Sequence, residues 1–149
     1  SSLLDVIKGR KGMVIHQSWD TSGYTDKQNH IRDLVISPAL EVIENIYQDR
    51  DFVVELVTDE FSSVCPKTGL PDFATVIIRY IPDAYLVEEK SLKLYLTSYR
   101  NLGIFQENAI NKILDDFVAK VSPRWVKVIG NWKSRGGIRV NVEVEWKKS

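Results

Sequence analysis

SLKLYLTSYRNLGIFQENAINKILDDFVAKV, residues 91–121, decides the fold. Leu92, Tyr95, Leu96 and Tyr99 recur at i, i+3, i+4 and i+7, which stacks them on one side of a helix over about 91–100. Asn101, Leu102 and Gly103 close that helix, glycine being well suited to the turn after a last helical carbonyl. Ile110, Ile113, Leu114, Phe117, Val118 and Val121 carry the same period through a second helix over about 105–121, which Ser122-Pro123 stops. On the N-terminal side of this pair lie 52-FVVELVT-58 and 73-FATVIIRYI-81, both rich in β-branched and aromatic residues. Between them 65-CPKTGLPD-72 is broken by Gly69 and Pro71. On the C-terminal side, 124-RWVKVIGNW-132 reads as a third strand. After Ser134-Arg135-Gly136-Gly137, Ile138, Val140, Val142, Val144 and Trp146 alternate with Arg139, Asn141, Glu143 and Glu145, giving a fourth strand with one wet face.

The order strand, strand, helix, helix, strand, strand with hairpin-sized connections predicts an α+β domain in which two helices cover one face of an antiparallel four-stranded sheet. Apolar residues on both sides of a strand, Trp125 with Ile129 and Val126 with Val128, call for neighbouring subunits on the other face. No repeat or linker divides the chain, so residues 1–149 are read as one domain with an irregular N-terminal arm over about 1–50. Within that arm, Met13-Val14-Ile15 and Leu34-Val35-Ile36 are candidate short strands.

Composition narrows the function. Twenty Lys and Arg against 20 Asp and Glu give a net charge of zero, which removes the bulk attraction behind generic binding to nucleic acid or anionic membrane. No apolar run approaches the roughly 20 residues needed to span a bilayer. The opening SSLLDVIKGRKG lacks the basic-then-apolar order of a signal peptide, so a cytoplasmic address is expected. With Cys65 as its one cysteine, the chain forms no internal disulfide and no Cys-rich zinc site of its own. His16 and His30 stand alone in the arm and are read as surface or locally bonded residues, so no metal is expected.

Chemistry concentrates in 60-EFSSVCPKTGLPD-72. A cysteine at a strand end, with a Pro/Gly turn that folds an aspartate back toward it, sets a soft nucleophile near a proton donor, and Lys67 is placed to help hold a thiolate. The bland alternative is that a lone intracellular cysteine is a small buried hydrophobe.

The block EFSSVCPKTGLPDFATV resembles the signature segment of the NADPH-dependent 7-cyano-7-deazaguanine reductases, the nitrile reductases of queuosine biosynthesis. The likeness continues through VEEKSLKLYLTSYRN (87–101), FQEN (105–108) and SRGGI (134–138), in order and without large gaps. It implies the tunnelling fold, in which ββααββ subunits join their sheets around a barrel and two such rings stack. It also implies 7-cyano-7-deazaguanine as substrate and NADPH as cofactor. Cys65 would add to the nitrile carbon to give a covalent thioimide, Asp72 would protonate the nitrogen, and two hydrides would complete the amine. Glu107 would read the guanine-like face of the base, with Gln106 beside it and Val87, Glu88 and Glu89 lining the same pocket. Lys90, Ser91 and Lys93 match the family's cofactor motif, the lysines offering cations to phosphates near a helix N-terminus. Arg135, Gly136 and Gly137 would add a guanidinium and a close backbone approach.

The chain departs from the family at two histidines, where it has Leu102 and Gln106. Glutamine hydrogen-bonds but does not shuttle protons near neutral pH as imidazole does. Two other readings stand beside the reductase. One is the related amidinotransferase, which forms the same thioimide on a base already in transfer RNA and adds ammonia, and to which a nicotinamide site would be useless. The other is a non-catalytic paralogue that binds the deazapurine.

Overall fold

The computed structural model describes residues 28–149. Met13-Val14-Ile15 and His16 lie outside the described residues. Among the described residues there are six strands: β1 (Val42–Glu44), β2 (Val54–Val64), β3 (Pro71–Ile81), β4 (Tyr85–Val87), β5 (Trp125–Trp132) and β6 (Asn141–Lys147). Helix α1 (Glu89–Thr97) continues into a 3-10 turn over Ser98–Asn101, and α2 spans Gln106–Val121. All four members of the first predicted apolar stripe, Leu92, Tyr95, Leu96 and Tyr99, are buried. Of the second stripe, Ile110, Ile113, Leu114, Phe117 and Val121 are buried and Val118 packs at the core's edge. Ser122 takes a left-handed conformation (φ 49°) and donates its N–H to the Val118 carbonyl, which ends α2 one residue before Pro123.

The main sheet has the order β2-β3-β5-β6 with every pair antiparallel, as the hairpin-sized connections predicted. Alpha-helix α2 lies over β5 and β6, and α1 with its 3-10 extension lies over β2. Alternation along β3 and β5 sends Val76, Ile78, Tyr80, Val126, Val128 and Trp132 toward the helices. Tyr80 meets Phe117 edge-on with ring centroids 4.9 Å apart. Gly130 lets α2 approach the sheet, since a Cβ there would sit 2.4 Å from Ile110 Cδ1 and 3.2 Å from Trp132 Nε1. Gly130→Ala should therefore overpack a closed core and lower stability by about 1–3 kcal/mol, read from the urea midpoint.

Three sequence expectations are corrected. Strand β2 does not end at Thr58 but runs to Val64, through a bulge in which Asp59 and Glu60 stand opposite Thr75. Thr75 Oγ1 donates to Asp59 Oδ1 at 3.0 Å, so two acidic residues that resemble a turn belong to the sheet. Leu34-Val35-Ile36 is not a strand: Leu34 turns into the core, whereas Val35 is 82% exposed. The short strand of this region is β1, paired with β4 across Ile43 and Leu86. Finally, Ile138 belongs to the β5–β6 hairpin turn, and β6 begins at Asn141.

Away from the helices the main sheet presents Val57 and Phe73, both about half exposed, beside the partly buried Ile77 and Ile129. Strands β2 and β6 form its two outer edges.

Candidate active site

Cys65 follows β2 directly and is held by backbone bonds on both sides. Its N–H donates to the Leu70 carbonyl (2.9 Å) and its own carbonyl accepts from Gly69 N–H (2.8 Å), closing a loop that needs Gly69 at φ 75°. The preceding residue is bonded to the link between the helices: Val64 N–H donates to Leu102 O (2.9 Å), and Ile104 N–H donates to Val64 O (3.0 Å). This brings the start of α2, with Gln106 and Glu107, alongside the cysteine loop. Gln28 braces the same link, its Oε1 accepting from Phe105 N–H (3.2 Å) and Asn108 Nδ2 (3.1 Å).

The thiol is buried. Burial pushes its pKa up, but the Thr68 hydroxyl, the Thr68 and Lys67 backbone groups and the Arg135 guanidinium outweigh this and hold it below the ordinary thiol value. Lys67 thus acts through its main chain, while its side chain is exposed.

Asp72 lies near the start of β3, directly opposite Ser63 of β2, and is 2% exposed. Burial raises its pKa above the usual carboxylate value, and the charge of Arg135 only partly offsets the rise. Arg135 Nη1 lies 2.8 Å from Asp72 Oδ1, an ion-pair distance without the geometry of a hydrogen bond. The site therefore pairs a cysteine biased toward its anion with an aspartate biased toward its acid, and one guanidinium serves both. That division of protons suits a nucleophile and a general acid. Ser63 Oγ and Trp132 Nε1, on the same side of the sheet, are also buried without hydrogen-bond partners among the described residues.

The remaining candidates separate. Gln106 opens α2 and is buried, and Glu107 follows it exposed in the first turn. Leu102 stands in the core and faces no solvent. Val87 is a core residue whose N–H donates to Tyr80 Oη (3.1 Å). Glu88 caps α1, its carboxylate accepting from Lys90 N–H and Ser91 N–H at 2.8 Å each. The cap therefore occupies two of the N-terminal backbone donors of α1. Ser91 is buried, accepting from Glu41 N–H (2.9 Å) and donating to Glu88 O (2.7 Å), so its hydroxyl serves β1 and the cap.

A groove of about 440 Å³ runs between β2 and α1, and Glu89, Lys93 and Arg100 are among its lining residues. Lys90 is exposed on α1 outside that lining. Gly136 and Gly137 have φ of 58° and 81°, and an added Cβ on either would meet nothing within 4 Å. Their positive φ is what the turn requires, and the space beside them is open. Sequence reading missed Thr68, Ser63, Gln28 and Arg100. Only Thr68 carried a local signal, as the hydroxyl inside the Cys-Pro-Lys-Thr-Gly turn.

Residues 71–149 match the family described as "QueF-like protein". A Syntrophus aciditrophicus protein named "NADPH-dependent 7-cyano-7-deazaguanine reductase" is 56% identical over 117 residues, 78% of this chain and 84% of that protein. A Thermoanaerobacter pseudethanolicus protein of the same name is 49% identical over 130 residues, 87% of this chain and 92% of that protein. Among solved structures, an archaeosine synthase QueF-Like in the apo form superposes with a TM-score of 0.61 at 30% identity, covering 65% of this chain and 95% of that one.

Proposed function

The chain belongs to the QueF-like family, and on that premise we propose that it is an NADPH-dependent 7-cyano-7-deazaguanine reductase working through a cysteine thioimide. The observation that carries the mechanism is the burial of Cys65 and Asp72 side by side at the β2–β3 turn with Arg135 2.8 Å from the carboxyl, and the lowered pKa of the thiol and raised pKa of the acid agree with it. The Cys65 thiolate attacks the nitrile carbon and forms the S–C bond, while a π pair of the C≡N bond moves to nitrogen. Asp72 delivers its proton to that nitrogen and becomes a carboxylate. Glu107, exposed beside the cysteine loop, takes the guanine-like face of the base, and the Gln106 amide offers both a donor and an acceptor where the family has histidine.

The basic groups along α1 fit an anionic cofactor: Lys93 and Arg100 border the groove and Lys90 adds an exposed cation. When bound, NADPH supplies the two hydrides that take the thioimide to the primary amine. The half-exposed apolar face around Val57 and Phe73, together with the two outer strands, supports assembly of subunits into the barrel of the tunnelling fold, with sites completed at subunit boundaries. Its reducing cofactor and single free cysteine fit a cytoplasmic address.

The amidinotransferase reading has a specific observation in its favour, the likeness to an archaeosine synthase. The higher identity to proteins named as reductases favours reduction. With 7-cyano-7-deazaguanine as the only acceptor, two NADPH should be oxidised per amine formed. Ammonia-dependent modification of transfer RNA without NADPH oxidation would replace the reductase by its relative, and binding without either would leave the non-catalytic paralogue. Lys93→Ala should weaken NADPH by on the order of 1.5–3 kcal/mol, the scale of one charge-assisted contact. An unchanged KM for NADPH would remove Lys93 from the cofactor site.

A further inference from the structure

Arg135 is read from sequence as a phosphate contact, and the fold gives its guanidinium a partner inside the chain. The β5–β6 hairpin closes with mutual backbone bonds between Arg135 and Ile138, at 2.9 and 3.0 Å, around two left-handed glycines. Lys133 N–H donates to the carbonyl of Phe73, the residue after Asp72, at 2.8 Å, so this hairpin is fastened to β3 next to the site. From that anchorage the Arg135 guanidinium reaches the buried Asp72 carboxyl at 2.8 Å, where β2 and β3 bring Asp72 beside the loop that carries Cys65, and the Arg135 side chain remains 45% exposed. The other charged groups around Cys65 are the Lys67 side chain, exposed on the loop, and Glu107, exposed on the first turn of α2.

We propose that Arg135 is a positioning residue for the Cys65–Asp72 pair: a single counter-ion that faces the thiolate before addition and the Asp72 carboxylate after it. This deepens the thioimide reading and rests on it. Addition forms the S–C bond, so the negative charge leaves sulfur. The same event moves the Asp72 proton to nitrogen, so a negative charge appears on Asp72. One positive group within reach of both keeps the buried site at constant charge through the step, with no ion left unpaired.

The test begins without substrate or cofactor. Alkylation of Cys65 by iodoacetamide in the full-length protein is followed across a pH series by intact mass. Arg135→Gln should move the midpoint of reactivity up by roughly a few tenths of a pH unit, about a twofold slower alkylation at pH values below it. Arg135→Lys should recover part of the shift, because it restores charge without the fork. In turnover the KM for NADPH of Arg135→Gln should stay within about threefold of the parent, whereas kcat falls. An unmoved alkylation midpoint overturns the proposal, and an unmoved midpoint with a tenfold rise in that KM returns Arg135 to phosphate binding. Because alkylation needs neither nitrile nor NADPH, a shifted midpoint in a protein that never reduces the nitrile would refute the reductase and leave the thiolate counter-ion in place.

Discussion

Cys65→Ala is expected to abolish both the substrate adduct and turnover, the latter by about 10⁴-fold or more, the scale on which loss of a covalent nucleophile acts. The adduct should be visible in the parent protein before any cofactor is added, because addition to the nitrile precedes hydride transfer. Intact-protein mass spectrometry at saturating 7-cyano-7-deazaguanine should show one substrate mass per chain, and none in the variant. A folded parent protein that gains no mass would end the thioimide mechanism. The pH dependence has a definite direction. Hydrogen bonds at the Cys65 loop lower the thiol's pKa against the effect of burial, so adduct formation should persist to lower pH than for an ordinary thiol. Below the lowered value the rate should fall about tenfold for each further pH unit.

Asp72→Asn should lose about 10²- to 10⁴-fold in the reductive reaction while still binding substrate, since the amide keeps the shape of the carboxyl and cannot supply its proton. Single-turnover formation of the amine separates this from a binding defect. The same substitution should raise stability at neutral pH. Burial lifts the folded-state pKa of Asp72 above its unfolded value, so the native state binds the proton more tightly. Stability is therefore lost as pH rises from the unfolded value through the folded one, and the loss is complete above it. Melting temperatures of parent and variant should converge in acid below the unfolded carboxylate value and separate, with the variant higher, toward neutrality. A variant that melts lower at neutral pH would mean that the Arg135 ion pair outweighs burial.

Both helices were legible because each has an apolar stripe long enough for the period to speak, and each stripe is buried on the sheet. The four main strands were legible from β-branched content, and Cys65 with Asp72 from a turn that forces them together. What was hidden depended on contacts between distant segments. Asp59-Glu60 reads as a stop because polar pairs usually end strands, and the pairing with β3 on both sides of the bulge keeps these residues in the sheet. Glu88 caps α1 although glutamate is not a preferred cap, and its reach to Ser91 N–H is invisible until the helix start is fixed. The glycines beside Arg135 point to a phosphate, and nothing local points to its ion-pair partner. Its partner Asp72 is 63 positions away in sequence (135 − 72) and becomes a neighbour only when β5 pairs with β3.

The bulge at Asp59 and Glu60 has a consequence that counts in whole residues. Upstream of it, Val54, Leu56 and Thr58 share the helix-facing side with Tyr80, Ile78 and Val76; downstream, Phe61 and Ser63 take that side opposite Ala74 and Asp72. Even-numbered positions thus hand over to odd-numbered ones inside a single strand. The segment leading to the nucleophile is specified by parity as well as by composition. Removing either Asp59 or Glu60 would restore strict alternation with Phe61 still opposite Ala74, and would erase the local bend on which the strand runs into the cysteine loop.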